Sequence, residues 1–121
     1  MFVIEKGNKI KMVQGDTGCI RLKINNYPLS EGDEVIFGLA LKPQPQAIEQ
    51  SNDLLIRKTV TDFDEEGCAH IFIEGEDTLN LEPGVYLYEI QVNTKDGRID
   101  TVVNSTKLTI LEGIIHGWYK R

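Results

Sequence analysis

The residue types able to do chemistry are few in this chain of 121 residues: Cys19, Cys68, His70, His116 and a set of scattered carboxylates. The cysteines fit neither the paired spacing of a metal box nor a disulfide-dense scaffold. A Cys19–Cys68 bond requires their strands to pair, and the reducing compartment expected for this chain favours free thiols. Neither histidine has a nucleophile or carboxylate partner at a recognisable spacing, and Asp16, Asp77 and Asp100 are too dispersed to define a Ser-His-Asp or paired-carboxylate site. The acidic run Asp62-Phe63-Asp64-Glu65-Glu66-Gly67 places carboxylates at alternate positions before a glycine, as hard-cation loops do. An EF-hand beginning at Asp62 would need a glutamate at its twelfth position, where Ile73 stands, so a solvated hairpin turn is expected. Glycines occur singly at turns and form no phosphate-cradling loop. No enzyme activity, cofactor, metal or small-molecule substrate is expected.

Charge narrows the partners further. The formal net charge is −6 and the basic residues are dispersed, which argues against a nucleic-acid groove. Lys9/Lys11, Arg21/Lys23 and Arg57/Lys58 fall on or beside expected strands and read as the solvated face of a sheet. No apolar run approaches the roughly 20 residues of a membrane-spanning helix. Glu5 interrupts the first apolar residues and no basic segment precedes them, so no export signal is read.

These side chains must be positioned by strands. Turn signals recur at short spacing with no helical period between them, the pattern of an all-β sandwich or barrel. Phe2 to Glu5 and Lys9 to Val13 read as a first strand broken at Gly7-Asn8. In Gly18 to Ile24, Ile20, Leu22 and Ile24 alternate with Cys19, Arg21 and Lys23. Asp33 to Leu41 places Val35, Phe37, Leu39 and Leu41 on one side, and Gly38 and Ala40 leave the other side thin. Leu54 to Val60 and Cys68 to Glu74, joined by the acidic turn, are expected to form a hairpin. Gly75 to Leu81 holds one helical turn, with Asp77 or Thr78 expected as its cap.

The sharpest signal is Glu82 to Val92, a Pro-Gly turn followed by a long alternating strand. Tyr86, Tyr88, Ile90 and Val92 face one way, and Val85, Leu87, Glu89 and Gln91 the other. The Asp96-Gly97 turn returns the chain into Ile99 to Leu111, with a bulge expected at Asn104-Ser105. The count is about seven strands, which predicts an immunoglobulin-like antiparallel β-sandwich over residues 1–111 with a corner tyrosine at Tyr86. The sandwich is not antibody-like: Tyr88 stands where the second bridge cysteine would fall, and the only tryptophan, Trp118, lies in the tail.

Two segments lie outside that frame. The tail 112–121 carries Ile114, Ile115, Trp118 and Tyr119 beyond the last strand the sandwich needs. It either packs back on its own sheet or docks on a neighbouring subunit or partner, where aromatic anchors are favoured. Lys42 to Asp53, with Pro43 and Pro45, is too long for a tight hairpin and is read as a mobile loop and a second contact surface. A different class of function is a carbohydrate-binding sandwich, with Tyr27, Tyr86, Tyr88 or Trp118 stacking on sugar rings.

Gln14-Gly15-Asp16-Thr17, Leu29-Ser30-Glu31-Gly32-Asp33-Glu34-Val35, Leu55-Ile56-Arg57-Lys58 and Glu76-Asp77-Thr78 with Pro83-Gly84-Val85-Tyr86-Leu87-Tyr88-Glu89-Ile90 together resemble prophage tail and baseplate proteins of Gram-positive bacteria. The family is that of the N-terminal immunoglobulin-like domain of the baseplate upper protein, and the resemblance covers most of residues 14 to 111. It implies a structural domain that attaches a receptor-binding or fibre region to the tail machine by protein contacts, with no catalytic residues. It also implies a virion component made in the bacterial host cytoplasm, with other phage structural proteins or further copies of the chain as partners. The chain ends soon after the domain, at Arg121, so a small stand-alone tail, neck or head accessory protein is equally expected.

Overall fold

Alternation decides which residues face inward, and the computed structural model, which describes residues 1–41 and 54–114, shows two sheets closed on the side chains so selected. The elements in chain order are β1 (Phe2–Ile4), a 3-10 turn (Lys6–Asn8), β2 (Ile10–Val13), β3 (Gly18–Leu22), β4 (Glu34–Ala40), β5 (Ile56–Val60), β6 (Ala69–Ile73), α1 (Gly75–Leu79), β7 (Gly84–Asn93) and β8 (Ile99–Leu111). Eight strands replace the seven expected, because the broken first strand is two strands. The 3-10 turn reverses the chain, and β1 pairs antiparallel with β2, Phe2 opposite Met12.

One sheet has the order β1-β2-β8-β7-β4-β5, and the other is β3 and β6 alone. The protein is an all-β sandwich of the immunoglobulin-like kind, although not wholly antiparallel. The reversal at the 3-10 turn leaves β2 running alongside β8 in the same direction, with Ile10 opposite Leu108. The two strands lie at opposite ends of the domain sequence, so the connection between them is long enough for a parallel pair.

The expected hairpin of β5 with β6 does not form. Instead β5 pairs with β4, Val35 opposite Val60, while β6 pairs with β3, Ile20 opposite Ile71. The acidic turn carries the chain from one sheet to the other, and its backbone is fixed for that purpose. The Asp64 carboxylate accepts the N–H groups of Glu66 and Cys68, both at 2.9 Å. The Gly67 carbonyl accepts the Leu29 N–H at 3.0 Å. Gly67 sits at φ +77°, and a Cβ there would lie 2.6 Å from the Pro28 side chain, so glycine is required both for its backbone and for its closeness to the neighbouring loop.

The core joins the sheets. Val35, Phe37 and Leu39 of β4 and Tyr86, Tyr88, Ile90 and Val92 of β7 are buried, with Ile20 and Leu22 of β3 and Ile71 and Ile73 of β6 in the same cluster. Leu41 departs from the expected face and is exposed. The thin outer side of β4 is in part covered, since Leu54 side-chain atoms approach to 3.3 Å of where a Gly38 Cβ would sit. The Tyr86 hydroxyl donates to the Glu82 carbonyl at 2.5 Å, the corner-tyrosine bond that pins the turn to the strand it feeds. Tyr88 donates to the Asn8 carbonyl at 2.5 Å and stacks on Phe37 with ring centroids 5.5 Å apart.

Asp77 is not the residue before the helix but lies inside its first turn. Glu74 occupies the N-cap, and the Asp77 carboxylate reaches back to accept the Glu74 N–H at 2.7 Å while receiving the Lys58 ammonium at 2.8 Å. Thr78, buried at 1% exposure, accepts the Gly15 N–H at 2.9 Å instead of capping. The bulge expected at Asn104-Ser105 is present: Tyr88 faces Thr106 whereas Ile90 faces Val103, and Ser105 has φ +26°. A second irregularity follows between Ile90 and Gln91, which faces Thr101.

Candidate functional site

Ile114 is the one contact residue expected from the sequence that the structure places, and it is 78% exposed, three residues past the end of β8 at Leu111. Ile115, Trp118, Tyr119, Pro43 and Pro45 lie outside the described residues. The tyrosines proposed as sugar platforms are otherwise engaged. Tyr86 and Tyr88 are 5% and 3% exposed, and burial pushes the Tyr88 hydroxyl up to about 12. Tyr27 donates to Asp33 at 2.9 Å, and the Arg98 guanidinium lies 5.8 Å from its ring centre. Among the described residues the exposed aromatic side chain is Phe72.

Phe72 belongs to a group of polar and reactive side chains on the outer face of the two-stranded sheet. Pairing sets Cys19 opposite Phe72 and Arg21 opposite His70. Because side chains alternate, all four point away from the core that Ile20, Leu22, Ala69, Ile71 and Ile73 fill. Cys19 and His70 are diagonal neighbours across the pair, which brings the thiol sulfur to 4.0 Å from Nδ1 of the imidazole. The ring's other nitrogen, Nε2, meets the Asp64 carboxylate at 2.8 Å. The ring also stacks on Phe72, with centroids 6.5 Å apart. Arg21 pairs with Glu66 at 2.9 Å, bordering the group on the turn side.

Asp64 thus accepts bonds from two backbone N–H groups and from His70. The Cys68 N–H and then the His70 ring hold its carboxyl below the usual carboxylate range. An anchored carboxylate of this kind fixes the plane and the protonated edge of the imidazole beside it.

The sequence separates these residues. His70 and Asp64 are six apart across a turn, and Cys19 is far upstream. The alternation of Cys19 with Ile20 and Leu22 predicted an outward thiol, and Cys19 is exposed. Cys68 is buried and lies beyond the end of the paired register, so the two thiols remain free although their strands do pair. The missing signal was the pairing partner of β3.

No group of three or more His, Cys, Asp or Glu among the described residues could hold a metal ion. No described helix is long and apolar enough to cross a membrane. The chain matches no family model and no curated protein.

Proposed function

We propose that this chain is a structural or adaptor protein of a phage or prophage particle that acts by protein–protein contact and not by catalysis. The observation that carries the reading is the exposure of Ile114, at 78%, three residues past Leu111, where the last strand ends. It opens a terminal run that continues in sequence with Ile115, Trp118 and Tyr119, residue types suited to anchoring a partner. The resemblance of residues 14 to 111 to the N-terminal domain of the baseplate upper protein supports the particle assignment. The two-stranded sheet supports the contact reading in its own way. Strands β3 and β6 pair only with each other, so each leaves one edge of backbone donors and acceptors without a strand neighbour among the described residues.

The test is the solution mass, by light scattering during size exclusion, of the full chain beside a variant ending at Gly113. That end point retains Gly113, which is buried, and removes the apolar run. The expected result is an oligomer for the full chain and a monomer of unchanged thermal stability for the variant. Two monomers of equal stability would overturn assembly through the tail.

A further inference from the structure

We propose that Cys19 is a reactive thiol, with His70 as its proton acceptor and Asp64 as the residue that orients His70, and that it forms mixed disulfides with organic disulfides bearing an aromatic group. The inference does not use the terminal run, although its residues lie on β3 and β6, the strands whose edges also support the contact reading.

The geometry supplies each role. Cys19 is exposed on an outward-facing strand position, so a reagent can approach the sulfur without local unfolding. An ionised Asp64 can only accept, and at 2.8 Å from Nε2 it holds the ring proton on that nitrogen. Nδ1 then presents its lone pair toward the Cys19 sulfur 4.0 Å away, at the outer limit of a thiol hydrogen bond. Asp64 does not depend on His70 for its own position, because the N–H groups of Glu66 and Cys68 hold it. Phe72, 61% exposed and directly across the strand pair from Cys19, offers an aromatic surface against which the organic part of the reagent can lie. Cys68, wholly buried, serves as the internal control.

In the reaction the Cys19 proton passes to Nδ1 of His70 and the thiolate attacks one sulfur of the disulfide. A bond forms between Cys19 and that sulfur, the reagent's sulfur–sulfur bond breaks, and the departing thiolate leaves with the electron pair. The His70 proton then returns to solvent or to the leaving thiolate. The protein thiol is oxidised to the mixed disulfide and one half of the reagent is reduced to thiol.

The experiment is the rate of reaction of the native full chain with 5,5′-dithiobis(2-nitrobenzoate) at neutral pH, with peptide mapping of the modified residue. The expected result is modification at Cys19, with the His70→Gln variant slower by about tenfold in the native state and equal to wild type in urea. Arg21→Gln, on the same face but off the proton path, is expected to change the rate by less than about twofold. The His70 side chain is 37% exposed, so the substitution leaves the core untouched. The wild-type chain alone provides a second measurement: Cys19 should react faster native than unfolded. Equal native rates for wild type and His70→Gln, a native rate no faster than the unfolded one, or modification confined to Cys68 would each overturn the proposal.

Discussion

The two sheets of this sandwich share one core but differ in what their outer faces hold. The six-stranded sheet carries the long strands β7 and β8 and most of the largest fully buried side chains, and its outward positions mix Lys107, Leu87, Glu89 and Arg57 with no reactive grouping. The two-stranded sheet is short and has no strand neighbour at either edge among the described residues, yet its outer face assembles Cys19, His70, Arg21 and Phe72. Two aspartates repeat the contrast. Asp33 accepts the Ser30 and Lys95 N–H groups and the Tyr27 hydroxyl, at 3.0, 2.9 and 2.9 Å, and is 1% exposed. Asp64 also accepts three bonds, but one comes from a titratable ring at the surface. The same device pins two loops, and only in the second is a carboxylate left beside groups able to react. Both sheets supply the core, and the outer face of the small one carries the group proposed to react.

Two phenylalanines break or sharpen that division most directly. Phe37, fully buried in β4 and stacked on Tyr88, should cost about 4 kcal/mol when changed to alanine, from lost burial and the cavity left behind. Phe72→Ala should change stability by no more than about 0.5 kcal/mol, because its ring lies outside the core. Urea unfolding of both variants checks the contrast. A large loss for Phe72→Ala would mean that the outer face of the small sheet is also structural.

The ease of reading these elements from sequence tracks how local their determinants are. The strand after Pro83-Gly84 alternates without interruption, and its corner bond spans only four residues, so side-chain identities sufficed to place it. The Asp96-Gly97 turn and the bulge at Asn104-Ser105 were legible for the same reason. The partner of β6 was not, because β5 and β6 both alternate and both flank the acidic turn, and alternation defines faces without naming neighbours. Where β6 joins the other sheet, Gly67 is held against Pro28 and Leu29, residues distant in sequence. The Cys19–His70–Asp64 arrangement depends on that same pairing, so it became visible only with the register of β3 on β6. The parallel pair of β2 and β8 was hidden in the same way, since its direction follows from a reversal at Lys6–Asn8 that reads equally well as a break.

A smaller effect separates the aspartates. Asp33→Ala should cost about 2 kcal/mol at neutral pH, since it removes the buried carboxylate that a half-buried tyrosine hydroxyl and two backbone donors share. Burial raises the Asp33 carboxyl, but the N–H groups of Ser30 and Lys95 and the Tyr27 hydroxyl outweigh it, leaving a net lowering from 3.8. A carboxyl lowered on folding contributes stability that is present above its unfolded value and lost as the pH falls through its folded one. Wild type should therefore lose stability below about pH 4, and Asp33→Ala should lose less over that range. Denaturation midpoints taken from neutral pH down into that range decide it. Asp64 and Asp96 are lowered in the same sense, so the variant should keep part of the acid slope. A variant curve parallel to wild type would show that Asp33 is no more tightly held than a surface carboxylate.

A smaller loss than that of Asp33→Ala concerns the link between the large sheet and the 3-10 turn at its margin. Tyr88→Phe keeps the ring against Phe37 and removes only the bond to the Asn8 carbonyl, on an exposed residue that water can reach, so the cost should be about 1 kcal/mol near neutral pH. Burial raises the Tyr88 hydroxyl from 10.0 to about 12, so folding favours its neutral form. That contribution is complete below the unfolded value and disappears as the pH rises through the folded one. Between those two values wild type should lose stability faster than Tyr88→Phe, and the two unfolding curves should converge. Tyr27 and Tyr86 are raised as well and account for the slope the variant retains. Curves that stay parallel across this window would place the Tyr88 hydroxyl in water, and the 3-10 turn would then be held to the large sheet without that bond, by the β1 and β2 ladder and its packing on β8.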